Sequence, residues 1–196
     1  MSIFQNFTVG QQVEFVFAAL MILMSGWSYM RQRDGLALLF LTLGGLLLRV
    51  AVISFDPFIN EWDERFHALV AKNMLEHPFV PMLIKNPVLA FDYTDWTSNH
   101  VWLHKPPLFL WIIALSYKVF GVNEMALRIP SPLMSSLLIP IIYRMGLICA
   151  NRAVAYAAAF LYSVSFYSLL LLTGFINLDH NDIAFVFFVT LSVWCF

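Results

Sequence analysis

Long apolar runs separated by short polar breaks give the chain the pattern of a membrane protein. A bilayer-crossing helix needs roughly 20 apolar residues. Four segments reach that length: about 12–30, 36–55, 129–149 and 153–173. A fifth begins near Ile183 and runs to the last residue, so we expect the first part of a longer protein. Leu108–Phe120 is also apolar but has only 13 residues and is closed by Gly121. That length fits a helix lying at the membrane interface, where Lys118, Phe109, Trp111, Tyr117 and Phe120 find suitable surroundings. The expected fold class is all-α: a polytopic membrane helical bundle forming a single membrane domain over 1–196. Its long outer loop, 56–128, is expected to carry juxtamembrane helices.

Basic residues orient the spans. Arg31 and Arg33 follow the first one, so the positive-inside rule puts that turn in the cytoplasm. With 108–120 interfacial, Arg144 and Arg152 also face the cytoplasm. Every acidic cluster then falls outside, including Asp179-His180-Asn181-Asp182. Ser131-Pro132 is expected to start the third span, and Pro140 to kink it.

Composition agrees. The chain is 61% hydrophobic and 12% charged, with a mean hydropathy of +0.77. A net charge of −1 argues against a nucleic-acid partner; the bilayer is the expected one. Cys149 and Cys195 sit in apolar runs, with neither metal nor disulfide spacing. No Lys or Arg precedes the first apolar run, so no secretory signal peptide is expected.

Seven of the twelve acidic residues fall between Asp56 and Lys105, which concentrates the chemistry in the outer loop. Trp62–Glu76 reads as a short amphipathic helix with Phe66, Leu69, Val70 and Met74 as its apolar stripe. Asp63, at its start, is either a general base held ionised by the helix dipole or a plain N-cap. Pro78–Asn99 reads as an irregular lid. Trp62, Trp96, Trp102 and Trp111 either anchor the interface or stack on a sugar or lipid chain. Lys105, rigidified by Pro106 and Pro107, is placed to hold a phosphate or to snorkel to headgroups. Arg128 is a second cation on that face, binding a phosphate or anchoring the helix end. Arg49, near the outer end of the second span, either snorkels or lines the same pocket. Asp179, His180 and Asp182 open the last span, and with His104 they offer oxygen and nitrogen ligands for a divalent metal.

These residues resemble the C-type glycosyltransferases that use polyprenyl-phosphate sugars. The most similar branch holds the protein O-mannosyltransferases and the transferase that adds 4-amino-arabinose to lipid A. Asp63-Glu64 runs to Asn73-Met74; Lys105-Pro106-Pro107-Leu108 follows with Trp111; then come Phe120-Gly121, Glu124, Arg128 and Pro130, and last Gly174 and Asp179. The resemblance implies an inverting transfer at the outer, periplasmic face of the cytoplasmic membrane. The sugar would move from a polyprenyl-phosphate donor to a lipid, glycan or protein acceptor. Asp63 would be the catalytic base, and Lys105 with nearby arginines such as Arg128 would hold the donor phosphate. Asp179 would assist in acceptor or metal binding; Glu64 and Asp182 are further candidates for that acceptor or second acidic site, and His104 with Asp179 for a metal. The chain departs from the family in three ways: an extra helix at 12–30, His104 where an acid precedes the lysine in the lipid A branch, and fewer spans. Two rivals remain. A lipid-linked glycan transporter predicts charges inside the spans, and a non-catalytic subunit would make Asp63 and Lys105 dispensable.

Overall fold

The structure is a computed structural model that describes residues 7–92, 94, 99–173 and 180–196. Those residues are helical apart from turns, loops and one isolated antiparallel bridge between Met82 and Val101. Four stretches are long and apolar enough to cross a membrane: Val9–Met30, Asp34–Ile53, Glu124–Cys149 and Arg152–Thr173. Each matches a span expected from run length to within a few residues.

The first two crossings, α1 (Val9–Met30) and α2 (Asp34–Ile53), form a tight hairpin. Thr8 and Gln11 make a reciprocal capping box at the start of α1. The Gln11 side chain also donates at 3.1 Å to the carbonyl of Ser54, just past α2. Small residues permit the close approach. A Cβ on Gly44 would stand 3.0 Å from the Ala18 carbonyl, and one on Gly45 would stand 2.6 Å from Ile139. Between helices surrounded by lipid, such packing replaces the hydrophobic drive.

The third crossing consists of α5 (Glu124–Arg128) and α6 (Pro130–Cys149), joined through Ile129. It does not begin at Ser131-Pro132 as expected. Pro130 takes the first turn, where its missing N–H is harmless, and Ser131 is buried inside the helix. The fourth crossing is broken into α7 (Arg152–Ser163) and α8 (Phe166–Thr173). The break frees carbonyls, which cost several kcal/mol each in hydrocarbon if left alone (about that order). Arg49 meets them. Its guanidinium donates to Tyr162 O and Ser163 O of α7, to Gly45 O, and to the hydroxyls of Ser135 and Ser168. Arg49 is fully buried, so it neither snorkels nor lines an open pocket. The last helix, α9 (His180–Cys195), has 16 residues.

The turns after α1 and α6 lie at one end of the bundle. There Arg152 pairs with Asp34 at 2.7 Å and covers the Tyr29 ring. At the opposite end, α3 (Asp63–Asn73) and α4 (Pro107–Phe120) pack on each other beside α5. The main core lies under them and takes in Ile53, Val70, Trp102, Leu110, Leu172 and Ile183. Gly121, at a φ of 81°, stops α4 in a conformation that favours glycine.

Candidate active site

Asp63 is the first residue of α3, and Trp62 before it caps without a side-chain hydrogen bond. The carboxylate therefore sits in the first turn, next to unsatisfied N–H groups and the positive end of the helix dipole. Phe66, Val70, Ala71 and Met74 turn inward. Leu69, expected in that stripe, is 41% exposed instead, because His67 takes the inward position next to Phe66.

Across from α3, the extended stretch before α4 brings Lys105 to Asp63. The Nζ–Oδ2 distance is 4.0 Å, with side-chain exposures of 21% and 15%. Pro106 and Pro107 fix the backbone that carries the lysine. The base and the cation that sequence reasoning selected are thus neighbours with access to solvent.

Aromatic rings pack between α3 and the stretch that carries Lys105. Trp102 is fully buried and stacks on Phe66 with centroids 6.2 Å apart. It is a core residue rather than an interfacial anchor. Trp62 and Trp111 are exposed, and Trp111 Nε1 donates to Pro78 O at 2.6 Å. Trp96 lies outside the described residues, as do Tyr93, Asp95, Thr97 and Ser98 of the expected lid. His67 is buried edge-on against Trp102 and Phe109. Sequence reasoning passed it over, although its place one turn after Asp63 was a usable signal. The His104 ring lies 5.7 Å from that of Trp102. Beside Lys105 is a cavity of about 550 Å³, walled by Met74, Phe79, Leu103, His104 and Trp111.

Glu64 and Arg128 meet each other. Arg128 Nε donates to Glu64 Oε1 at 2.6 Å, and its Nη2 donates to Oε2 at 2.9 Å. The remaining N–H groups donate to the carbonyls of Ile53, Asp56 and Phe58. A guanidinium has five N–H donors, and all five are committed. Glu64 Oε2 accepts a further bond from Asn60 N at 2.7 Å. Both side chains are buried, at 1% and 3% exposure. A phosphate at Arg128 or an acceptor at Glu64 would have to displace this network, so the roles expected for them need revision. Tyr117 is buried nearby, and burial, reinforced by Glu64 and Glu124, pushes its phenol well above the usual range.

Asp182 is exposed in the first turn of α9, whose Ile183 and Ala184 join the core beneath the site. Asp179 lies outside the described residues. Among the described ones, no three His, Cys, Asp or Glu side chains gather to hold a metal ion. The metal pairing of His104 with Asp179 therefore has no described geometry.

Residues 104–196 match the family described as Dolichyl-phosphate-mannose-protein mannosyltransferase. A protein of Aquifex aeolicus (strain VF5) called "Uncharacterized protein" is 29% identical over 133 residues. The match covers 67% of this chain and 23% of that relative, so the chain spans less than a quarter of the relative's length. No solved structure matches. The match opens at His104, next to Lys105, and runs through Arg128 and the last helices; Asp63 and Glu64 precede it. From His104 onward the chain is thus similar to a membrane glycosyltransferase family, in agreement with the resemblance of its loop motifs.

Proposed function

We propose that the protein transfers a sugar from a polyprenyl-phosphate donor to an acceptor hydroxyl at the membrane face that carries α3 and α4. One observation supports this above the others: Asp63 and Lys105, distant in sequence, form a partly open ion pair beside a largely apolar cavity. A transfer of this kind needs a base for the acceptor and a cation for the leaving phosphate. The Asp63 carboxylate takes the proton from the hydroxyl. The freed oxygen bonds to the anomeric carbon as the bond from that carbon to the phosphate oxygen breaks. Both bonding electrons leave with the phosphate, whose charge Lys105 balances, and in-line attack inverts the anomeric centre.

In this reading Glu64 and Arg128 are positioning residues. They tie the exit of α2 to the start of α3 and so fix where Asp63 points. Asp182, whose neighbours Ile183 and Ala184 enter the core shared with α3 and α4, would serve the acceptor side, and Asp179 is a further candidate for it from the sequence. We place the site on the outer, periplasmic face of the inner membrane, because Arg31, Arg33, Arg144 and Arg152 all belong to the other end. The transporter reading draws no support from Arg49, the charge it would rely on within the spans, since every donor there is committed to protein.

The test is transfer from a labelled polyprenyl-phosphate sugar in membranes. Asp63→Asn should lower turnover by roughly 10²–10⁴-fold while the unfolding midpoint stays within a few degrees of wild type. Equal turnover would remove the base assignment. Orientation is read separately, in a background with the exposed Cys149 and Cys195 replaced by serine. A cysteine in place of the 97% exposed Val88 should react with an impermeant thiol reagent from outside, and one in place of Ala150 should not. The opposite pattern would reverse the topology.

A further inference from the structure

Away from the Asp63–Lys105 site, α6 and α9 enclose a groove toward the opposite end of the bundle. Its walls are Leu137, Ile141 and Ile148 on one side and Phe187, Leu191 and Trp194 on the other, around a cavity of about 620 Å³. One charged residue lines it, Arg144, and that side chain is exposed. The other arginines toward this end differ in their surroundings. Arg152 is held by Asp34, Arg31 lies over the Trp27 ring, and Arg33 stands in the turn between α1 and α2, outside the groove. Arg144 makes no hydrogen bond or ion pair among the described residues.

We infer that this groove binds one anionic phospholipid of the adjacent leaflet, its acyl chain against α6 and α9 and its phosphate on Arg144. Length is the first support. From Leu137 to Ile148 the helix rises about 16 Å at ~1.5 Å per residue, close to half of a hydrocarbon core of about 30 Å. The groove therefore matches one chain from one leaflet. Charge is the second. A planar guanidinium holds a phosphate bidentately, and a choline headgroup brings its own cation to compete for that phosphate. Trp194, partly exposed beside the groove, adds a side chain that favours headgroup depth. None of these residues takes part in the proposed transfer, so the lipid site stands or falls independently of it.

Native mass spectrometry of the full chain in detergent tests the inference, with phosphatidylglycerol and phosphatidylcholine offered at equal concentration. Wild type should retain the anionic lipid about fivefold more than the zwitterionic one. Arg144→Gln should bring the two to parity, whereas Arg33→Gln should leave the preference intact. Equal retention by wild type overturns the proposal. So does an Arg33→Gln loss as large as that of Arg144→Gln, which would indicate general surface attraction. A dimer mass without bound lipid also overturns it, because a second copy of the chain would then fill the groove.

Discussion

Asp63 and Glu64 are adjacent in sequence and meet opposite fates. Glu64 is 3% exposed and locked to Arg128, whose five donors are all filled. Asp63 is 15% exposed and faces Lys105 across 4.0 Å. Successive helical positions point about 100° apart, so one acid turns into the core while the other keeps some access to solvent beside Lys105. A saturated pair fixes structure, and a loose pair leaves room for a substrate to come between its members. The difference leaves one short helix with an anchored acid and an accessible one.

Breaking the saturated pair should have the largest effect. Glu64→Gln leaves the Arg128 charge buried without its counter-ion and should destabilise the protein by about 3–5 kcal/mol, read as a lower unfolding midpoint in nanodiscs. Adding Arg128→Met should recover part of that loss. Full stability in the single variant would mean that the pair does not hold α3. Disturbing the loose pair should act on substrate instead. Lys105→Gln should lower kcat/KM for the donor by about tenfold or more, the scale of one charged hydrogen bond to phosphate, with kcat sharing the loss because the charge develops as the phosphate leaves, and an unchanged midpoint. A change in midpoint alone would reassign Lys105 to the fold. The smallest effect belongs to Lys85 and Glu76, an exposed pair in which the lysine lowers the Glu76 pKa. Because that carboxyl is depressed, any stabilisation is present above its ordinary titration range and is lost as pH falls through the lowered value. Solvent screens the pair, so Lys85→Gln should leave the midpoint unchanged at neutral pH. A clear drop would show that exposed pairs also hold this loop.

The spans were readable in the sequence because run length and apolar content directly reflect membrane thickness. The shortness of the apolar helix at 108–120 was readable for the same reason, and α4 has 14 residues. The meeting of Asp63 and Lys105 was anticipated through the motif resemblance, since no periodicity relates residues so far apart. The Glu64–Arg128 bond escaped because a cation before a span and an acid in a loop each have an adequate surface explanation. Arg49 was noticed, but its partners are carbonyls freed by a helix break after Ser163, and no residue type marks that break. Leu69 misled because α3 has apolar residues on both sides of a narrow buried face.

The bonds from Arg128 to the carbonyls of Ile53, Asp56 and Phe58 draw together the two ends of the long segment between α2 and α6. The chain between them is therefore closed at its neck, independently of what its tip does. Insertions or deletions around 78–92 change the loop's length at little entropic cost while the geometry at the neck persists. The tip can thus vary in length and sequence without re-registering α3 against α5.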